Sequence, residues 1–445
     1  MFRLLHTSDW HLGHTLHGRE RRLEHHAFLA WLLDTLVAVR ADALLIAGDV
    51  FETANPPASA IQDLGEFLGE ARRRLPRLDV VVIAGNHDSA PRLDALAPLL
   101  AFGGMRVVGA LPRRADGSLD GDRLLVPLHD ASGATAAWLA AVPFLRVADL
   151  PFERKAAPPE PVEGEPSKPE PEPDDEDAPR ADPLIAGVER IYAEALELAE
   201  QRRTPEQALI ATGHMYMRGT QLSELSERKI LGGNQHALPR AIFADAWAYV
   251  GLGHLHLAQA VEQSEQVRYS GSPLPLSLTE ADYEHQVLLC HFAGPELQLC
   301  QGLPIPRSVG MLRVPGEQSP ELDAVLFQLE TMPLEPLGED QRERWPWLEV
   351  RVRLREPVPD IRDRIERAVR GRPVRLLRLT VEHAGVGGSL ADFPTRRELD
   401  RIDPQQVFVD CFERRYGERP DDALLSAFHE LREAVARGEL EEARG

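Results

Sequence analysis

Asp, Asn and His recur directly after runs of apolar residues in this chain: Asp9-Trp10-His11, Gly48-Asp49-Val50-Phe51-Glu52, Gly85-Asn86-His87-Asp88, Gly213-His214 and Gly253-His254-Leu255-His256. These side chains offer carboxylate, amide and imidazole donors, the groups that hold divalent cations for hydrolysis. Taken singly, each stretch is ordinary. A Gly-Asp after a strand is usually a turn, and a buried histidine is usually a hydrogen-bonded core residue. Five strand ends that all carry such residues, four of them beside a glycine, are hard to explain as turns. The donor set mixes carboxylate, amide oxygen and imidazole without thiolate, which favours manganese, iron or zinc over magnesium or calcium held by oxygen alone. One bridging carboxylate with about six other donors suits two metal ions about 3.5–4 Å apart, which acidify a bridging water and clamp phosphoryl oxygens during in-line attack. The histidine within Asn86-His87-Asp88 is then left to protonate a leaving alkoxide or to steady developing charge.

Such donors must be delivered by strands. Phe2-Arg3-Leu4-Leu5 opens the chain, and Ala43 to Ala47 and Val80 to Ala84 are short apolar runs of the fully buried kind. Between them, Glu20 to Val39 and Ser59 to Arg74 carry apolar residues at helical spacing. Strand–helix alternation implies right-handed crossovers and a largely parallel or mixed sheet, an α/β class in which ligand residues collect beyond the carboxyl ends of the strands. Glycines beside the donors permit sharp turns and close backbone approach. In an extended strand end, alternation sends Asp9 and His11 to one side, across Trp10.

Further on, Leu184 to Arg202 reads as a helix, with strands at Gln207 to Thr212, Ala246 to Leu252 and Val267 to Ser270. The pattern changes near Pro273-Leu274-Pro275. Strands at Gln286 to Phe292, Leu348 to Leu354 and Val374 to Val381, with a helix at Ile361 to Val369, suggest a smaller α+β domain. Helices at Gln405 to Tyr416 and from Pro420 to Arg437 close the chain. The expected division is a domain at 1–275, a second at 276–398 and a helical region at 399–445. Between Pro151 and Pro183 eleven Asp/Glu stand against four Lys/Arg, a net of −7, and ten of the 33 residues are proline. That composition cannot bury enough apolar surface to offset its ordering entropy, so a disordered acidic insert is expected there.

At 445 residues the chain exceeds one compact core, and 43% hydrophobic with 27% charged residues is ordinary for a soluble protein. No apolar run reaches the roughly 18 residues of a membrane span. Asp9 and His11 interrupt the first apolar run before a signal-peptide core could form. Cys290, Cys300 and Cys411 form no C-x-x-C pair and suit reduced thiols in a cytoplasm. A net charge of −21 argues against broad nucleic-acid binding through bulk electrostatics.

Asp-x-His, Gly-Asp, Gly-Asn-His-Asp, Gly-His and Gly-His-x-His, in this order, resemble the calcineurin-like metallophosphoesterase superfamily. "LLHTSDWHLGHTLHGRER", "LIAGDVF", "VVIAGNHDS", "GLGHLH" and "YSGSPLPLSLTEADYEHQVLL" resemble more narrowly its SbcD family of bacterial nuclease subunits, as do "WLEVRVRL" and "VFVDCFERRYG". The resemblance covers essentially the whole chain except the acidic insert. It implies a sandwich of mixed β-sheets flanked by helices, a smaller α+β capping domain and C-terminal helices. By motif, Asp9, His11, Asp49 and His256 would hold one divalent metal, and Asp49, Asn86, His214 and His254 a second, with manganese favoured. His87 would be the catalytic histidine, held by Asp88. Glu52 stands where relatives place Asp or His, and keeps a carboxylate beside the site.

The resemblance further implies cleavage of DNA ends and hairpins, with 3′→5′ exonuclease and single-strand endonuclease activity, alongside an SbcC-type ABC ATPase with long coiled coils. It implies a homodimer of the nuclease subunit, a cytoplasmic location, and work in DNA repair, recombination and replication. Val407, Phe408, Phe412, Leu424, Leu425, Phe428 and Leu431 would either dock that ATPase or pack on their own domain. The rival readings are another metallophosphoesterase and a catalytically silent scaffold. Protein phosphatases carry Gly-Asp-x-x-Asp-Arg-Gly and Gly-Asn-His-Glu, which "GDVFETA" and "GNHD" do not match, and a silent scaffold would lack at least one ligand. His14 and His17 could contact DNA. Arg19, Arg21 and Arg22 form a basic cluster that is either a solvated helix start or a phosphate contact, and Trp345 and Trp347 read as packing anchors.

Overall fold

A computed structural model describes residues 1–151, 182–221, 237–315, 320–354, 356, 358–383, 408–409, 412, 419–420, 424–425 and 428. The acidic insert, apart from its two ends, and most of the region from 384 onward lie outside the described residues. Two compact units divide the chain: Met1–Val352 with Asp360–Thr380, and Arg353–Pro359 with Val381–Gly445.

The first unit is built on two six-stranded sheets. Strands β1 (Phe2–Thr7), β2 (Ala43–Ala47), β3 (Asp79–Ile83) and β4 (Met105–Val108) alternate with helices α1 (Arg22–Val39), α2 (Ala58–Arg74) and α3 (Ala90–Ala101). These four strands run parallel; β10 (Gln286–Ala293) adds antiparallel to β1 and β11 (Glu296–Pro304) antiparallel to β10, giving the order β11-β10-β1-β2-β3-β4. The second sheet contains β5 (Leu125–His129), β6 (Thr135–Ala141), β7 (Ala208–His214), β8 (Tyr249–Gly253) and β9 (Val267–Tyr269). Its order is Gln259–Ala260, β9, β8, β7, β6, β5.

Strand alternation explains the layers. From β2, Leu44 and Ile46 join Phe28, Leu32, Leu36, Leu64 and Phe67 of the helices in one core. Ala43, Leu45 and Ala47 face the opposite way and meet Leu139, Ile210 and Tyr249 of the second sheet. On the far side, helix α4 (Pro183–Glu200) lays Val188, Ile191, Tyr192 and Ala195 against Leu209, Ala211, Val250 and Leu252. The central strands of both sheets are therefore buried on both faces and read as continuous apolar runs. The expected α/β sandwich of mixed sheets is present.

The first core extends past residue 275, where the sequence suggested a boundary. β10 buries Val287, Leu288, Leu289 and Cys290 beside β1, and Pro273-Leu274-Pro275 is a connection inside the unit. A separate three-stranded sheet follows, in the order β12 (Met311–Val314), β13 (Trp347–Leu354), β14 (Arg375–His383), with α5 (Leu322–Thr331) and α6 (Ile361–Ala368). Trp345 and Trp347 are buried, as expected of packing anchors. Arg375 lies 3.6 Å over the Trp347 ring, and Trp347 Nε1 donates to Glu24 (3.3 Å). In the second unit Phe408 stacks on Phe428, 4.5 Å between ring centroids, with Phe412 6.2 Å away, so three of the possible docking residues pack on one another.

Candidate metal centre

β1, β2 and β3 run parallel, as do β7 and β8, so their carboxyl ends meet at one edge of the sandwich. The chain leaving β1 stays hydrogen-bonded to the chain leaving β2: Asp9 N donates to Gly48 O (3.0 Å), His11 N to Asp49 O (3.0 Å) and Leu12 N to Val50 O (2.9 Å). Asp9 and His11 do share a side, but not through strand pleating. β1 ends at Thr7, and Asp9 (φ 55°), His11 (φ 46°) and Asp49 (φ 48°) are all left-handed. Trp10 turns the other way into the core, edge-on to Phe28 (5.5 Å) and Phe67 (5.2 Å). Gly48 (φ 89°) and Gly85 permit the close approach: a methyl on Gly48 would strike His214 and Gly85, and one on Gly85 would strike Asp49.

All seven expected ligands converge. Asp9, His11 and His256 present donor atoms within 4.8 Å of one another, as do Asp9, Asp49 and His214. Asp49 Oδ2 lies between His11 Nε2 (3.6 Å) and His214 Nε2 (3.2 Å). Asn86 Oδ1 is 2.9 Å from His214 Nε2 and 3.1 Å from His254 Nδ1. The backbone N–H of His254 donates to both oxygens of Asp9 (3.1 Å each). Asp9, His11, Asp49, His214, His254 and His256 are all buried.

Four rings are oriented from behind. His11 Nδ1 donates to Glu52 Oε2 (2.8 Å), His256 Nδ1 to Glu280 Oε1 (2.9 Å), His214 Nδ1 to the Ala47 carbonyl (2.9 Å) and His87 Nδ1 to the Glu52 carbonyl (2.8 Å). For His11, His256 and His87 the contact leaves Nε2 with its lone pair, the usual support of a metal-binding imidazole, whereas His214 carries a proton on Nε2 toward Asp49 that a cation would displace. Glu280 was not singled out from the sequence. Ser277-x-x-Glu280 resembles a helix-start box and gives no sign of a histidine 24 residues earlier.

Asp88 does not hold His87. Its buried carboxylate accepts the backbone N–H groups of Val50 (3.1 Å), Phe51 (3.0 Å) and Gly85 (2.9 Å), tying two ligand-bearing loops together. Burial, with the charge of Asp49, pushes its pKa up to about 6 against those three hydrogen bonds. The basic cluster is also divided. Arg21 is buried and held by Glu24 and the Pro275 carbonyl, Arg22 pairs with Asp63 (2.7 Å), and Arg19 is exposed. His17 is exposed, whereas burial lowers His14 to about 3.

The electrostatics fit cation binding. Burial raises Asp9, as does the neighbouring Asp49; burial would raise Asp49 too, but His214 pulls it well below the carboxylate range. Burial opposes charging His214, yet Asp49 lifts it to about 9, while burial and His214 depress His254 to about 3. His11 Nε2 is buried with no hydrogen-bond partner among the described residues. Two buried carboxylates, an amide oxygen and imidazole lone pairs form the donor set of divalent metals.

Residues 2–153 match the calcineurin-like phosphoesterase family, and residues 308–416 match the type 5 capsule protein repressor C-terminal domain. The SbcD component of the SbcCD nuclease of Rhodobacter capsulatus is 38% identical across 92% of this chain and 94% of its own. That of Escherichia coli K12 is 31% identical across 84% of each chain. That of Bacillus subtilis is 30% identical across 97% of this chain and 98% of its own. With both ends of the chain matched and the donors assembled, the protein belongs to the SbcD family of SbcCD nuclease subunits.

Proposed function

We propose that this protein is the nuclease subunit of an SbcCD-type complex, a hydrolase that cleaves DNA phosphodiesters at ends and hairpins. The observation that carries the reading is the ring of histidines anchored at Nδ1 around Asp9 and Asp49. Asp9, His11, Asp49 and His256 would hold one divalent ion, and Asp49, Asn86, His214 and His254 a second, with Asp49 shared. Donor chemistry favours manganese, iron or zinc, and manganese is the ion proposed. Bound ions of this kind supply an acidified water as nucleophile and neutralise charge on the phosphate.

The chain's own residues do the rest. Glu52 and Glu280 aim His11 and His256, and Asp88 fixes the two loops that carry Asp49, Asn86 and His87. His87 is half-buried and held low by burial, so it is neutral until an arriving phosphate raises its affinity for a proton. It then hydrogen-bonds a phosphoryl oxygen or hands a proton to the leaving alkoxide.

An SbcC-type ABC ATPase with coiled coils is the proposed partner, docked by the region from 399 onward. A partner that supplies phosphate-binding surface makes the net acidity of this chain tolerable. A dimer of nuclease subunits, 3′→5′ exonuclease with single-strand endonuclease activity, a cytoplasmic location, and roles in repair, recombination and replication belong to the same proposal. No described helix is long and apolar enough to cross a membrane. The test is His87→Gln assayed on hairpin DNA with manganese, with and without the ATPase. Cleavage should collapse while metal binding persists. Unchanged cleavage overturns the role of His87, and wild-type activity on nucleotides or phosphoproteins but never on DNA overturns the substrate.

A further inference from the structure

We infer that Cys290 and Cys300 form a redox couple, a dithiol that a hydroperoxide converts into an intrachain disulfide joining β10 to β11. The two residues are register partners in the antiparallel hairpin, and their Sγ atoms are 3.1 Å apart. Partners across such a ladder have Cα atoms about 4.5–5.5 Å apart, inside the range of roughly 4.4–6.8 Å that a disulfide spans. Bond formation asks the sulfurs to close by about 1 Å, to roughly 2.05 Å. The hairpin can supply that movement: β11 is the edge strand, mostly exposed along its length, and the register shifts next to the pair, between His291 and Phe292.

The two thiols differ in the way a sensor pair requires. Cys290 is buried in the core between the sheets, whereas Cys300 is partly open to solvent. The Cys290 contact and the charge of Arg268 favour the Cys300 thiolate, and burial disfavours that of Cys290. An accessible thiolate beside a buried resolving thiol is oxidised first. In the first step the Cys300 sulfur attacks one peroxide oxygen, the O–O bond breaks, and a sulfenic acid and water (or an alcohol) form. In the second, Cys290 sulfur attacks the sulfenic sulfur, and hydroxide leaves with the thiol proton as water. Two thiols lose two electrons in all, and the peroxide gains them. The pair touches none of the proposed metal ligands, so the resting nuclease activity does not depend on it.

The full-length protein treated with hydrogen peroxide gives the test. Glutamyl endopeptidase cuts after Glu296, at the start of β11 and between the two cysteines, so the disulfide appears as two peptides joined with the loss of two hydrogens. The joined species should form before Cys411 is modified and vanish on reduction with dithiothreitol. Cys300→Ser should abolish it, and Cys290→Ser should leave Cys300 as a sulfenic acid captured by dimedone. Wild-type protein whose Cys290 and Cys300 still alkylate as free thiols once Cys411 is oxidised would overturn the couple, as would bridging to Cys411. Because the wild-type map decides, a variant that fails to fold leaves the answer intact.

Discussion

Glutamine at position 280 should weaken metal binding without removing a single metal ligand. Glu280 is fully buried; Oε1 takes the Nδ1 proton of His256 (2.9 Å) and Oε2 accepts the Leu276 N–H (2.7 Å). Glutamine preserves the volume but offers one acceptor oxygen. The Leu276 amide can only donate, so it claims that oxygen and the new NH2 group turns toward His256. The ring must then accept at Nδ1 and carry its proton on Nε2, the nitrogen left for the cluster with Asp9 and His11. The wrong tautomer and the lost charge behind the ring should together reduce metal affinity about 10–100-fold, about 1.4–2.7 kcal/mol. Exchanging a charge-assisted hydrogen bond for a neutral one should cost about 1 kcal/mol of stability, too little to unfold the protein.

Two measurements check this: calorimetric titration of manganese into metal-free protein, and the manganese dependence of hairpin cleavage. Half-saturation should move to higher metal while the rate at saturating manganese is retained. Glu52→Gln should shift it less, because the Glu52 side chain is 30% exposed and water can replace the carboxylate behind His11, whereas that of Glu280 is 0% exposed. A folded Glu280→Gln protein with wild-type metal affinity, or a fall in maximal rate with affinity unchanged, would refute the tautomer argument.

Asp88→Ala should leave three buried N–H groups unpaired and cost at least about 3 kcal/mol in urea denaturation, at about 1–3 kcal/mol per orphaned donor. Trp10→Ala should cost about 3–5 kcal/mol by the same measurement, since the ring is fully buried between Phe28 and Phe67. His6 is buried, donating or accepting at Nδ1 with the Tyr249 hydroxyl (2.8 Å), and burial lowers its pKa from 6.5 to about 3. The unfolded chain takes up a proton there that the folded chain refuses, so this stability is full above pH 6.5 and is lost as pH falls toward about 3. His6→Gln should therefore flatten the stability–pH curve in that window by up to about 1.4 kcal/mol per pH unit, read from denaturation at stepped pH.

Much of the frame was legible because periodicity is local. The apolar runs at 43–47 and 80–84 emerge as β2 and β3 within a residue, and Glu20 to Val39 as α1 from Arg22. The ligand residues were legible because each follows such a run. Two strands of the second sheet were harder to see: β5 contains Pro127 at the sheet edge, and β6 is rich in alanine, with little β-propensity of its own. The contacts that orient the rings were hidden for a different reason. Glu280 meets His256 across 24 residues and Glu52 meets His11 across 41, with nothing periodic to mark either pair. Asp88 follows His87 in sequence and invites pairing with it, yet three amides pointing at its carboxylate outcompete one neighbouring ring.

Contacts between protein groups hold the backbone of the centre in a strained shape. Asp9, His11, Asp49 and His254 adopt positive φ without being glycine, at a cost on the order of 1 kcal/mol each. Such conformations persist only where the surroundings over-determine them. Here Trp10 pins the loop between Asp9 and His11 into the core. The backbone bonds from Asp9, His11 and Leu12 fasten it to the loop after β2, and Asp88 fastens that loop to the one after β3. Ala47, Glu52 and Glu280 then set the rings. Every one of these constraints is a contact between protein groups, and together they meet the strain of four left-handed residues from the folded core.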